Sequence, residues 1–155
     1  MTKEKKYWRS RRSASVLAKH PSSSEVIWID VQKDAFIGPN IDRELTRLPG
    51  LLAWYISLRD VAEDAYREAM FEEHCAEEDI YGEVRAGRKT KGTETEMKMA
   101  VRQHPRMREA FRKRMDAEKM FRDLKSACEV IGEKKWVLSS IVRLRTMEYG
   151  ARDGL

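Results

Sequence analysis

The side chains best suited to catalysis or metal binding are scattered along this sequence. The three histidines, His20, His74 and His104, lie in unrelated segments. His74 and Cys75 are adjacent, so their side chains diverge on a helix and do not share a metal ion. No His-x-x-x-His or Cys-x-x-Cys spacing is present, and the many acids between positions 60 and 83 are typical of a charged helix face. We therefore expect no enzyme, no metal site and no cofactor.

Phosphate binding is the chemistry that the sequence favours, at a basic, glycine-flanked segment over residues 85–92. Glycines let backbone amides approach a phosphate, and Arg88, Lys89 and Lys91 would release counterions from a nucleic acid. Residues 87–90 look like part of a nucleotide-binding phosphate loop, but the first glycine and the preceding strand are missing. A solvated loop between helices is an equally good interpretation.

The net charge of +5 is unevenly distributed. Residues 1–22 carry +6, residues 59–83 carry −8 and residues 85–125 carry +8. The opposite blocks could pair within a helical hairpin or between subunits, and the basic ones could neutralise phosphates. Solvated helix faces are the simpler explanation of such runs. With 37% charged and 41% hydrophobic residues among 155, the chain suits long exposed helices in one domain.

Nothing in the sequence indicates a membrane or an oxidising compartment. There is no run of eighteen apolar residues, and the basic N-terminus lacks the apolar segment of a signal peptide. Cys75 and Cys128 lie in helical patterns without paired spacing, which is typical of reduced thiols. We expect a cytoplasmic protein.

The first 24 residues are predicted to be a basic disordered arm. Its aromatic residues, Tyr7 and Trp8, lie among cations, a combination that suits single-stranded nucleic acid, although a solubilising tail is the simpler explanation. The arm residues that could contact DNA are Lys5, Lys6, Trp8, Arg9, Arg11 and Arg12. The segment that follows, 26–36, is ambiguous, because its β-branched residues favour a strand whereas Ser24 could cap a short helix.

Two long helices account for most of the chain. The first is predicted to begin near Pro49 and to end at residues 85–87. Its inward positions alternate steps of four and three, with only Glu72 breaking the series, and this is the spacing of a helix packed along another helix. These positions are Leu51, Tyr55, Leu58, Ala62, Ala65, Ala69 and Ala76.

A capping box at Thr93 and Glu96 predicts a further helical start, and Pro105 fits the first turn of the second long helix. Gly132 is a candidate bend and Gly150 a candidate C-cap. The inward positions of this helix are predicted to be Met107, Phe111, Met115, Phe121, Leu124, Cys128, Ile131, Trp136, Val137, Ile141, Leu144 and Met147. Arg143 and Arg145 could bind nucleic acid, but we favour ion pairs with the acidic helix. The fold class is therefore all-α, a long antiparallel helical hairpin with a short N-terminal element.

Several segments, in this order, resemble the UvsY-type recombination mediators of tailed phages. Lys-Asp-Ala-Phe-Ile at 33–37 is similar to the family's Lys-Asp-x-x-Ile-Asp, and Leu-Pro-Gly-Leu-Leu-Ala-Trp-Tyr at 48–55 to its Pro-x-Leu-His-x-x-Tyr. Tyr-Gly-Glu at 81–83 is similar to Tyr-x-Gly, and Glu-Met-Lys at 96–98 to Glu-x-Lys. The ending at 136–150 is similar to the family's aromatic, Ile, Arg and Glu-x-Gly pattern.

The resemblance implies a mediator without catalytic activity that acts in DNA recombination, repair and replication. Such a protein binds single-stranded DNA and loads a RecA-like phage recombinase onto strands covered by single-strand-binding protein, in the host bacterial cytoplasm. It forms a ring-like homo-oligomer, a heptamer in the family's known form. Residues 25–150 would be the mediator domain and 151–155 a short tail. The resemblance also favours a short helix over 26–36, against the local strand propensity. The arm over 1–24 has no clear counterpart in the family, and Trp54 stands where the family often has a basic residue.

Carried over to this chain, the resemblance implies DNA contacts at Arg85, Arg88, Lys89, Lys91 and Lys98. The apolar end of the second long helix would supply subunit contacts at Trp136, Ile141, Leu144 and Met147. Two other classes compete with this interpretation. One is a coiled-coil adaptor that binds only proteins, and the other is a regulator that binds duplex DNA through the basic arm.

Overall fold

The computed structural model describes residues 15–23, 25–87 and 93–152. Helices make up 83% of the described residues, and two long helices pack against each other. In chain order the elements are β1 (Ser15–Lys19), β2 (Val26–Asp30), α1 (Val31–Ala35), α2 (Ile41–Gly87), α3 (Glu94–Gln103) and α4 (Pro105–Arg152). The predicted helical hairpin, α2 with α4, is confirmed, but an all-α class is wrong because of the two strands.

The strands form a two-stranded antiparallel sheet in which Ser15 is paired with Asp30. Side chains alternate between the two faces, so Val16, Ala18 and Ile29 are buried while Trp28 is 73% exposed. The disordered arm predicted for residues 1–24 is therefore wrong at residues 15–19. Residues 1–14 lie outside the described part of the chain.

The short helix predicted over 26–36 is wrong for its first half and right for its second. Val26–Asp30 is a strand, as its β-branched residues prefer. Asp30 then caps α1, because its side chain accepts a hydrogen bond from the Lys33 amide at 3.1 Å.

Helix α2 begins at Ile41 instead of near Pro49. Asn40 is the cap, and its Oδ1 accepts a hydrogen bond from the Arg43 amide at 3.0 Å. Pro49 lies inside the helix, where it costs one backbone hydrogen bond. Burial of Ile41 and Leu48, both before Pro49, helps to hold this first part of the helix in place.

Every seventh residue of α2 is buried from Ile41 to Ala69, in agreement with the predicted repeat. A spacing of seven residues keeps one stripe of a helix facing a partner helix. The buried residues of α2 are Ile41, Leu48, Tyr55, Leu58, Ala62, Ala69 and Ile80.

Helix α4 starts at Pro105 as predicted, continues through Gly132 and ends beyond Gly150, at Arg152. Its buried residues are Ala110, Leu124, Ala127, Ile131, Lys134 and Leu138. The predicted inward positions at Leu124 and Ile131 are confirmed. Those at Phe111 and Met115 are wrong, since both side chains are exposed.

The chain divides into two compact units. Unit 1 combines Met1–Asp60 with Arg122–Leu155, and unit 2 is Val61–Phe121. In unit 1, His20 on the β1–β2 turn lies against Trp54, with ring centroids 5.2 Å apart. In unit 2, Tyr66 stacks on Phe121 at 6.1 Å. Over the described residues, no helix is both long and apolar enough to cross a membrane.

Candidate nucleic-acid interface

Acidic and basic residues in unit 2 pair across the two long helices. Arg106 Nη1 donates to Glu83 Oε1 at 2.8 Å, and Lys113 Nζ lies 3.9 Å from Glu72 Oε2. Residues further along α4 contact residues earlier in α2, as an antiparallel hairpin requires. The sequence-based expectation that the −8 and +8 blocks pair in a hairpin is therefore confirmed for these residues.

The best buried of these ion pairs is centred on Arg114. Its guanidinium contacts Glu73 on α2 and also bonds Glu118 one turn further along α4, at 3.1 Å. The side chains of Arg114 and Glu73 are 22% and 19% exposed. The guanidinium also lies 5.1 Å from the centroid of the Phe111 ring.

A second set of cations on α4 has no such partners. Arg108, Arg112 and Lys119 are exposed, and none of them forms an ion pair with a described residue. They are spaced by four and seven residues, which places them on one face of the helix, away from buried Ala110. We call Arg108, Arg112 and Lys119 the basic row. Met115, also exposed, lies on the same face.

Helix α3 brings one more cation to the basic row. Its start is fixed by the predicted capping box, in which Thr93 Oγ1 accepts from the Glu96 amide and Glu96 Oε2 accepts from the Thr93 amide. Its end is His104, which is extended as a residue before proline should be. Met97 and Val101 bury one face of α3, and this packing places Arg102 beside the first turns of α4.

The result is a groove of about 610 Å³ between α2, α3 and α4. Three arginines and three apolar residues line most of it, and Glu73 and Glu77 of α2 complete the wall. We call it the arginine groove. Its lining on α3 and α4 consists of Val101, Arg102, Met107, Arg108, Phe111 and Arg112.

The residues predicted to contact DNA are only partly described. Arg88, Lys89 and Lys91 lie outside the described residues, as do Lys5, Lys6, Trp8, Arg9, Arg11 and Arg12 of the arm. Arg85 is exposed in the last turn of α2. Lys98 is exposed on α3 and pairs with Glu94 at 2.8 Å, which raises the pKa of Lys98 and lowers that of Glu94.

The residues predicted to form a subunit interface lie towards the end of α4 in unit 1. Trp136, Leu144 and Met147 are 72%, 61% and 56% exposed, and Ile141 is half-buried. The inward stripe predicted through these residues is wrong within the chain, because Lys134 and Leu138 occupy the buried positions. Arg143 and Arg145 are exposed and form no ion pair with a described residue, so the acidic-helix pairing expected for them is not seen.

A second polar cluster, which the sequence analysis missed, surrounds Lys134. This lysine is 4% exposed, the lowest exposure of any charged residue that the structure describes. Its Nζ donates to the carbonyl oxygens of Asp34 and Phe36, both at 2.9 Å, and pairs with Glu44 Oε2 at 2.6 Å. Two ammonium hydrogens are therefore bonded to carbonyl oxygens, and the positive charge is paired with the Glu44 carboxylate.

Two more hydrogen bonds join the same cluster through the carboxylate of Asp34. Tyr55 OH donates to Asp34 Oδ2 at 3.1 Å, and Arg47 Nη2 donates to Asp34 Oδ1 at 2.9 Å. Lys134 lowers the pKa of Glu44 through its hydrogen bond, while burial and the nearby Asp34 raise the pKa of Tyr55. We call Lys134, Glu44, Asp34, Tyr55 and Arg47 the lysine cluster. Because it links Asp34 and Phe36, which precede α2, to Lys134 of α4, its role is to attach the N-terminal segment to the hairpin.

Over the described residues, no group of three or more His, Cys, Asp or Glu side chains is placed to hold a metal ion. Cys75 and Cys128 are free and half-buried, and burial raises the pKa of the Cys128 thiol, which makes it a poor nucleophile.

The arginine groove was missed because it depends on tertiary packing. The spacing of Arg108 and Arg112 by four residues and the His104-Pro105 break were both visible in the sequence. However, only the packing of α3 brings Arg102 to them.

Comparison with known proteins does not identify a family, since no family model, curated protein or solved structure matches this chain.

Proposed function

We propose that this protein binds single-stranded DNA without catalytic activity, as a recombination mediator. The observation that carries the proposal is the basic row: three cations on one face of α4 that have no acidic partner among the described residues. Phosphates are the ligands that such a row fits, because each neutralised phosphate releases a counterion. Phe111 and Met115 lie exposed near these cations, and exposed aromatic rings among cations favour single strands over duplex.

The finer part of the proposal comes from the resemblance to UvsY-type mediators. It assigns this protein the loading of a RecA-like phage recombinase onto DNA covered by single-strand-binding protein, in the host cytoplasm. Arg85, Lys98 and the basic segment over 88–92 would extend the contact surface. Assembly as a ring-like homo-oligomer would repeat weak cationic sites and strengthen binding through multivalency.

The experiment is fluorescence anisotropy of a labelled oligo-dT strand over a salt series, with a matched duplex as the competitor and light scattering to give the oligomeric mass. We expect tight single-strand binding that weakens steeply with salt. Arg112→Ala combined with Lys119→Ala should reduce affinity about tenfold and flatten the salt dependence. Arg106→Ala is the matched control, because that arginine is already paired with Glu83. Failure of the wild-type protein to bind DNA at low salt would refute the proposal.

A coiled-coil adaptor that binds only proteins is the second candidate, and the exposed apolar residues near the end of α4 favour it. Trp136, Leu144 and Met147 could pack against a partner helix instead of a second copy. Trp136→Ser combined with Leu144→Ser separates the two candidates. If the mediator proposal is right, the variant loses oligomeric mass and binds DNA more weakly. An adaptor would be monomeric from the start and would not bind DNA.

A further inference from the structure

We infer that the arginine groove seats one nucleotide of the bound strand, with its base on Phe111 and its phosphate among Arg102, Arg108 and Arg112. This inference rests on the proposed function, which it makes specific to one site. It goes beyond backbone contact because it predicts that the protein binds bases as well as phosphates.

The size and lining of the groove support this assignment. At about 610 Å³ it lies within the range of small-molecule binding pockets, roughly 300 to 1,000 Å³. Its floor is apolar, since Val101 is 2% exposed and Met107 lies beside it. Phe111 is 46% exposed, and because the Arg114 guanidinium lies 5.1 Å from the centroid of its ring, a planar ligand would stack on the ring face opposite Arg114.

The three arginines of the groove are suited to binding a phosphate. Arg102, Arg108 and Arg112 are exposed and form no ion pair with a described residue, although Arg106 and Arg114 nearby are both paired. A guanidinium presents a planar fork of donors that matches two phosphate oxygens. Three such forks around one groove can bind a single phosphate from several sides.

The two glutamates on the α2 side of the groove favour a nucleotide over an acidic peptide as its ligand. Glu77, which has no ion-pair partner among the described residues, faces the groove from α2, and Glu73 lies on the same wall. A peptide rich in carboxylates would place like charges against this wall. A nucleotide has a neutral base, whose N–H groups can donate to Glu77, and carries its charge on the phosphate alone. The groove is divided in a matching way, with carboxylates on its α2 side and arginines on its α3 and α4 side.

The test compares two labelled strands of equal length and equal phosphate number, one of cytosine nucleotides and one abasic, at a single ionic strength. We expect the wild-type protein to bind the cytosine strand about tenfold more tightly, the usual effect of one base stacked on an aromatic ring. Phe111→Leu should remove this difference and leave the affinity for the abasic strand unchanged. Arg102→Ala should lower the affinity for both strands. Phe71→Leu, at an exposed ring of α2 that does not line the groove, is the control that should keep the difference, and circular dichroism confirms that each variant folds.

The outcomes separate this inference from the proposed function. If the wild-type protein bound both strands equally and in a salt-sensitive way, the inference that a base stacks on Phe111 would be refuted. The protein would then contact phosphates only. No binding of either strand would remove the proposed function itself. Displacement of the cytosine strand by a glutamate-rich peptide, with an affinity that Phe111→Leu lowers, would assign the groove to a peptide instead.

Discussion

Lys134 shows how one residue can override a helical pattern. It occupies a buried position between Ile131 and Leu138, where the seven-residue repeat calls for an apolar side chain. Two carbonyl oxygens and Glu44 compensate for burying its charge. Since a lysine normally marks an exposed face, the predicted stripe moves to Trp136 and Leu144, on the wrong side of the helix. No local feature of the sequence reveals that Lys134 has partners 100 positions away.

Replacing Lys134 should destabilise the protein more than replacing any exposed lysine. Lys134→Met leaves Glu44 and two carbonyl groups without their donor, and we expect a loss of about 3 kcal/mol in the free energy of unfolding. Lys135→Met, at the exposed neighbouring position, should change it by less than about 0.5 kcal/mol. Urea denaturation followed by circular dichroism measures both. Equal effects of the two substitutions would contradict the structural role of the lysine cluster.

Tyr55 should make the stability depend on alkaline pH. Its pKa is raised in the folded protein, mainly by burial, so the folded state keeps the phenolic proton at a pH where the unfolded chain releases it. This contribution is therefore complete below the ordinary tyrosine pKa of about 10 and is lost as pH rises above it. At neutral pH, Tyr55→Phe should cost about 1 kcal/mol, the value of the hydrogen bond to Asp34.

The pH series distinguishes this effect from simple loss of packing. The difference in unfolding free energy between the wild-type protein and Tyr55→Phe should shrink between pH 9 and pH 11. Tyr149→Phe, whose ring is 66% exposed, serves as the control. A difference that stays constant over this range would show that the phenolic proton of Tyr55 is not linked to folding.

At the scale of elements, the sequence predicted features that depend on neighbours along the chain. The capping box at Thr93, the start of a helix at Pro105 and the seven-residue repeat of α2 are all local, and all are confirmed. The strand at 26–30 is one of two alternatives that the local sequence leaves open, and the helix favoured by the resemblance is preferred to it. A strand is stable only with a partner. Its partner, residues 15–19, lies in a segment whose overall composition is that of a disordered arm.

The interhelical ion pairs of unit 2 should differ in strength according to their exposure. Arg114 is held by Glu73 and Glu118 in a partly buried setting, so Arg114→Met should cost about 2 kcal/mol. Arg106 and its partner Glu83 are both more than half exposed, so Arg106→Met should cost less than about 0.5 kcal/mol. Thermal or urea unfolding of the two variants gives the comparison. The reverse order would mean that burial does not control the strength of these pairs.

At the scale of the whole molecule, the charge blocks visible in the sequence have two separate roles. Part of the basic block neutralises the acidic helix, as Arg106, Lys113 and Arg114 do. Other described cations of this block, which include the basic row, are exposed to solvent. The totals of −8 and +8 indicated pairing within a hairpin as one possibility beside solvated helix faces, and the structure shows both. They could not show which cations remain available for a ligand, because that depends on which face of α4 meets α2.

The exposure of the tryptophans has a practical consequence for spectroscopy. Trp28 and Trp136 are 73% and 72% exposed in the folded protein, so their emission should already be close to that of tryptophan in water. Among the described tryptophans, Trp54, which lies against His20, has the most to change on unfolding. Intrinsic fluorescence should therefore report denaturation weakly. The same property makes Trp28 and Trp136 sensitive built-in reporters, since any partner that covers the sheet or the end of α4 should shift their emission to the blue.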